Sequence, residues 1–161
     1  SNMPRKGAVP VRVVEADAVY GNRMVTKLIN RLMIDGKKSV AMTQVYDAFE
    51  LIVKETNEEA LKVFLQALEQ IKPIVEVRPR RVGGAAYQVP IPVRGSRRES
   101  LAIRWLLIAA KAKSNKEFHT FAGKIAREII DASRSEGGAV NKKREVERIA
   151  ENNRAFAHFR W

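Results

Sequence analysis

Side chains suited to acid–base or nucleophilic chemistry are scarce in this sequence. It has no cysteine and two histidines, His119 and His158, far apart and each beside aromatic residues. A histidine in that setting reads as a packed or surface residue rather than a general base, which needs a partner to fix its proton. The Gly83-Gly84 pair lacks the downstream Gly-Lys-Ser/Thr of a phosphate loop, and Asp35-Gly36-Lys37-Lys38 does not match one either. Six acids fall between Asp47 and Glu69 with only two lysines, but at spacings that read as solvated faces of two helices. No His/Asp cluster has metal-ligand spacing. The residues predict no enzyme, no metal and no cofactor.

The basic residues are organised differently. Thirty Lys and Arg against eighteen Asp and Glu give a net charge of +12, with an isoelectric point near 10.3. Solubility needs a net charge of only about 2–8, so an excess this large in a folded chain points to a polyanion. Arg78, Arg80, Arg81, Arg94, Arg97 and Arg98 crowd one stretch, while Arg5, Lys6 and Arg12 lie on an aperiodic N-terminal segment. Lys111, Lys113 and Lys116 flank an interhelical turn, and Lys142, Lys143, Arg144 and Arg148 open the last helix. Arginine's planar fork holds a phosphate bidentately and stacks on exposed bases, where lysine acts as a point charge. These groups predict a basic surface set against an acidic one, docking on a nucleic acid. No helix-turn-helix, zinc finger or basic-zipper pattern is present. An architectural protein gripping the DNA minor groove with a β-ribbon remains an alternative to RNA.

The elements that position these groups are mainly helical. Val25, Leu28, Ile29, Leu32 and Met33 recur at helical spacing before an Asp35-Gly36 stop. A second stripe is Ala41, Val45, Ala48, Phe49 and Ile52; a third is Ala60, Phe64, Ala67, Leu68 and Ile71, ended near Pro73. Three capping boxes are expected, at Thr56–Glu59, Ser96–Glu99 and Ser114–Glu117, the last two opening the fourth and fifth helices. Gly137-Gly138 is expected to close the fifth, and Val146, Ile149 and Ala150 mark a sixth. Between the third and fourth the period changes to two. Val75 and Val77 share a face of one strand and Tyr87, Val89, Ile91 and Val93 a face of the next, around a Gly83-Gly84 turn. Pro90 and Pro92 fit if their missing amides point out of the ladder. A lone hairpin is marginal in water, so it must lean on the helices or on a ligand. Arg80 and Arg81 are expected to face solvent on it, and Tyr87 either to stack on a base or to pack.

The predicted fold is a mainly α, single-domain bundle of about six helices with one protruding two-stranded antiparallel β-hairpin at about 74–93. Ser1 and Asn2 read as the scar of a cleaved tag, 3–18 as a basic N-terminal extension, and 19–161 as the helical domain. No apolar run approaches the roughly 20 residues of a membrane span.

Four stretches carry a family resemblance: "LMIDGKK" at 32–38, "RRVGGAAYQVP" at 80–90, "RRESLAIRWLL" at 97–107 and "AENNRAFAHFRW" at 150–161. In this order they resemble the bacterial-type small-ribosomal-subunit protein seven family, along essentially the whole chain. The resemblance implies a structural protein of the small ribosomal subunit. Such a protein would be a primary binder of the 3′ major domain of 16S-type rRNA, nucleating head assembly, and a monomer outside the ribosome. Its partners would also include exit-site tRNA, mRNA and ribosomal proteins of families nine and eleven, with no membrane. It would be cytoplasmic, or in a stroma or matrix if organellar. Carried over by position, Lys37, Lys38, Arg94, Arg97, Arg98, Arg104, Lys142 and Lys143 would contact rRNA, joined by Arg5, Lys6, Lys111, Lys113, Lys116, Arg144 and Arg148 from the charge pattern. Arg78, Arg80, Arg81 and the tip Val82, Gly83, Gly84, Tyr87 and Gln88 would approach the tRNA and mRNA. Glu147, Asn152 and Phe159 depart from the His, Ala and Tyr common in the family.

Overall fold

A computed structural model describes residues 13–159; Arg5, Lys6 and Arg12 fall outside this range. The described chain contains six α-helices: α1 (Arg23–Leu32), α2 (Lys38–Thr56), α3 (Ala60–Ile71), α4 (Ser96–Lys111), α5 (Phe121–Ser133) and α6 (Gly138–Asn152). Strands β1 (Val75–Val82) and β2 (Ala85–Pro92) lie between α3 and α4, and a 3-10 helix, Arg154–Phe159, follows α6. The mainly helical fold with one antiparallel hairpin matches the sequence reading.

Helix α5 is the centre. Its Ala122, Ile125, Ala126, Ile129, Ile130 and Ala132 are buried, and it touches α2, α3, α4 and α6. Small and branched apolar residues around most of its circumference let four neighbours approach at once. The expected stripes of α1, α2 and α3 all lie in one core, where Phe49, Phe64, Leu28 and Ile52 are fully buried. Ahead of α1, the buried Asp17 carboxylate accepts hydrogen bonds from the amides of Val19 and Tyr20 and from the Tyr46 hydroxyl at 2.6 Å. Burial first, and then that hydrogen bond, pushes the Tyr46 hydroxyl up to about 12.

The capping boxes are not where the sequence pattern put them. Thr56 belongs to the last turn of α2, its hydroxyl donating to Ile52 O at 2.7 Å, and left-handed Asn57 ends that helix. Glu59 precedes α3 with no side-chain capping bond. Ser96 is already inside α4, after Gly95 at φ +60°, and Glu99 is drawn to Arg23 and Lys27 instead. Ser114 closes a local turn by accepting from Lys116 N, and Thr120 caps α5 through Gly123 N at 3.1 Å. Phe118 therefore precedes α5, and Gly137 and Gly138 start α6 rather than closing α5. Thr56 and Ser114 met local backbone partners, and Glu99 met cations of α1.

The hairpin pairs Val82 with Ala85 across Gly83-Gly84, both glycines at positive φ, as a two-residue primed turn demands. Val93 N donates to Ile74 O at 2.9 Å. Counting along the ladder from this bonded rung, Glu76–Ile91, Arg78–Val89 and Arg80–Tyr87 are bonded rungs. Pro79, Pro90 and Pro92 all fall between them, so no proline removes a ladder bond.

Both faces of the ribbon's base are covered. Val77 packs against the main core, and Pro90 on the same face is buried. On the other face Val89 is fully buried, and the Tyr87 ring lies 4.8 Å from Phe156 and 5.0 Å from Phe159. The hairpin thus leans on α6 and on the 3-10 helix. Arg81, Gly83, Gly84 and Gln88 are exposed, but Arg80 is half-buried on the Tyr87 face, contrary to the solvent-facing position expected for it.

Candidate nucleic-acid interface

Helix α4 buries Leu101, Ala102, Trp105 and Leu106 and turns Arg97, Ser100, Arg104, Ile108 and Lys111 outward. Steps of three and four residues place these on one stripe, and Arg97, Arg104 and Lys111 recur every two turns, about 10.5 Å apart. Helix α6 flanks the stripe on one side. Gly138 permits the approach, because a Cβ there would sit 3.1 Å from the Ala109 Cβ. The resulting open groove, of about 650 Å³, is lined by Arg104, Ile108 and Ala112 on one wall and Asn141, Lys142 and Glu145 on the other.

Helix α1 also packs against α4. Lys27, Asn30 and Arg31 of α1 face Ser100 and Ile103 across a shallower groove of about 330 Å³. Arg31 is exposed and extends the basic surface, yet the sequence reading did not single it out. The signal was present: Arg23, Lys27 and Arg31 recur at i, i+4 and i+8, opposite the buried stripe of α1. Arg23 and Lys27 instead hold Glu99 at 3.3 and 3.0 Å. Burial acts to raise the Glu99 carboxyl, but the ion pairs, led by Lys27, leave it below its usual value. One face spanning α1, α4 and α6 therefore gathers Arg31, Arg97, Arg104, Lys111 and Lys142.

The base of the hairpin continues this face. The Glu76 carboxylate, only 12% exposed, accepts from Arg97 Nε at 2.6 Å and Arg97 Nη2 at 3.0 Å. It also accepts from Arg78 Nε at 2.9 Å. The hydrogen bond from Arg97 holds the Glu76 carboxyl below its usual value against the opposing effect of burial. Arg98 Nε donates to Pro73 O, tying α4 to the chain just before β1. Arg78 is thus part of the hairpin–α4 junction rather than of the tip.

Other basic residues are placed differently. Lys113 turns inward to the fully buried Glu128 at 3.1 Å and to Asp131 at 3.7 Å. Glu128 also accepts from Ala139 N at 2.9 Å, fixing the start of α6. Arg144 donates to Ser135 O, and Lys143 lies 3.9 Å from Glu147. Lys37 and Lys38 are exposed at the start of α2, as are Arg94 after the hairpin, Lys116 in the turn before α5 and Arg148 on α6. Acids gather elsewhere: Glu50 and Glu55 on α2 and Glu69 on α3 are exposed, and Glu59 and Glu69 line a groove between α3 and α5. Among the described residues no group of His, Asp or Glu has the arrangement to hold a metal ion. His119 is exposed, and His158 lies against the Phe159 ring at 4.0 Å.

A helical body with a tail-anchored hairpin and a basic face over three helices has the form of a nucleic-acid-docking protein. Residues 4–154 match the family described as ribosomal protein S7p/S5e. The chain is 53% identical to the small ribosomal subunit protein uS7 of Moorella thermoacetica over 159 residues, 99% of this chain and all of the relative. Identity to the proteins of the same name from Acetivibrio thermocellus and Clostridioides difficile is 51% and 50%, with the same coverage. The chain belongs to this family of structural, non-enzymatic proteins; its role is in the small ribosomal subunit, in the cytoplasm, and it binds rRNA. The alternative of an architectural DNA-binding protein finds no support in these relatives. Among the described residues no helix is long and apolar enough to cross a membrane.

Proposed function

We propose that the α1–α4–α6 face docks the 3′ major domain of 16S-type rRNA and that this docking nucleates assembly of the subunit head. The observation that carries it is the alignment of Arg31, Arg104 and Lys142 along two grooves flanking α4, with six exposed carboxylates gathered between Asp47 and Glu69. Arg94, Arg97, Arg98 and Lys111 extend the contact on α4 and at its start. Lys37, Lys38, Lys116, Lys143, Arg144 and Arg148 supply charge around it, as Arg5 and Lys6 do from the N-terminal extension. Rigid helices present these cations at fixed spacing, so the match is to the shape of a folded backbone more than to base sequence. Lys113 contributes by holding α5 rather than by phosphate contact.

The exposed tip, with Arg81, Gly83, Gly84 and Gln88, reaches toward exit-site tRNA and the mRNA path, while Tyr87 supports it from beneath. Ribosomal proteins of families nine and eleven are the neighbours, and the free protein is a monomer. Hydroxyl-radical footprinting on a transcript of the 3′ major domain, with duplex DNA as competitor, tests the reading. Protection localised to a few rRNA helices and unaffected by a DNA excess is expected. Equal competition by duplex DNA would overturn it.

A further inference from the structure

Glu76 is a buried acid in the most arginine-rich part of a strongly basic chain. On charge alone it weakens attraction to a polyanion, so its geometry needs a reason. Arg78 Nε and Arg97 Nη2 donate to the same oxygen, Oε1, at 2.9 and 3.0 Å. The two donor nitrogens are therefore separated by at most the sum of those lengths. Side by side in water, two guanidiniums repel; with a carboxylate between them, they are held together. Arg97 spends one edge of its fork on Glu76 and Arg78 only its Nε, leaving further N–H groups on each side chain for a second acceptor. Both arginines are about half exposed, 45% for Arg78 and 52% for Arg97, whereas Glu76 is covered. A partly neutralised pair, open on the outer side, suits a tetrahedral anion with several acceptor oxygens.

We propose that Glu76 holds Arg78 and Arg97 as a two-guanidinium clamp for a single phosphate of the rRNA backbone, at the junction of the hairpin and α4. The inference rests on the rRNA reading above and assigns Glu76 as a positioning residue. Its two arginines come from β1 and from the first turn of α4, so the clamp also sets the angle of the arm to the basic face. Preorganisation lowers the entropy lost when two long side chains are immobilised on a ligand.

The test turns on a sign. Glu76→Gln raises the net charge by one, so simple electrostatics expects tighter binding to a 3′-major-domain transcript. The clamp expects the full-length variant to bind about fivefold more weakly. Ethylation interference should lose sensitivity at one phosphate. Arg97→Lys keeps the charge and removes the fork, and should weaken binding about tenfold with loss of the same phosphate. This second variant decides the matter if Glu76→Gln does not fold, as judged by circular dichroism. Tighter binding by Glu76→Gln, or unchanged affinity and interference for Arg97→Lys, overturns the clamp. Weak, salt-insensitive binding by the wild-type protein would instead overturn the rRNA reading itself.

Discussion

The Tyr87 ring of the hairpin lies 4.8 Å from the Phe156 ring, tilted by 51°, so the tail of the chain supports the arm from beneath. Phe159 joins at 5.0 Å, making a three-ring cluster between β2 and the 3-10 helix. Aromatic pairs in such geometry contribute about 0.5–1.5 kcal/mol each beyond the area they bury. Phe156→Ala should therefore accelerate hydrogen exchange of the β2 amides of Tyr87, Val89 and Ile91 well ahead of those in α5. Uniform acceleration across both elements would mean that arm and body unfold as one unit.

Lys113 and Glu128 predict the opposite of a surface contact. Lys113→Ala leaves a buried carboxylate with its ion pair broken and should lower stability by about 3 kcal/mol. Chemical denaturation measures this. Adding Glu128→Gln, which retains an acceptor for Ala139 N, should recover much of the loss. If Lys113→Ala instead left stability unchanged and lowered rRNA affinity, its role as an internal tie would be wrong.

How far the sequence led can be judged from the same residues. The apolar stripes of α1, α2 and α3 were legible because burial imposes a period that single residues rarely override. Hairpin register followed from the glycine pair and from the phase of the prolines. Caps were misplaced because Thr56, Glu99 and Ser114 each met a competing partner, two of them local and one 72 residues away. For the site, clustered charge was legible, but which cations are held in internal ion pairs was not. Whether Lys113 meets a phosphate or Glu128 depends on which helix packs opposite. The Glu76 junction joins residues 21 positions apart whose strand and helix assignments alone leave their contact unspecified.

Acid should weaken both the hairpin–α4 junction at Glu76 and the α1–α4 contact at Glu99. Glu76 and Glu99 both sit below the ordinary glutamate value of 4.5 in the folded protein. A carboxyl lowered by folding contributes stability that is complete above its unfolded value and lost as pH falls through the folded one. Thermal melts between pH 5 and 3 should therefore decline less steeply for Glu76→Gln with Glu99→Gln than for wild type. Equal slopes would exclude these two groups as the source.

At the alkaline end Tyr46 should ionise last. Its hydroxyl, pushed up to about 12 by burial and by donating to Asp17, contributes stability that is present below its ordinary value of 10 and lost as pH rises toward 12. Absorbance titration near 295 nm should show a late tyrosine step that vanishes in Tyr46→Phe. A late step surviving in that variant would assign it elsewhere.

A rigid basic face that docks on rRNA phosphates must bind more weakly as salt rises. Filter binding of the full chain to a 3′-major-domain transcript across a range of salt concentrations tests it most directly. Affinity should fall linearly on log–log axes, with about −0.7 to −0.9 per phosphate contact summing over several contacts. The slope should shrink by about one contact in Arg104→Ala. A flat salt response would contradict it.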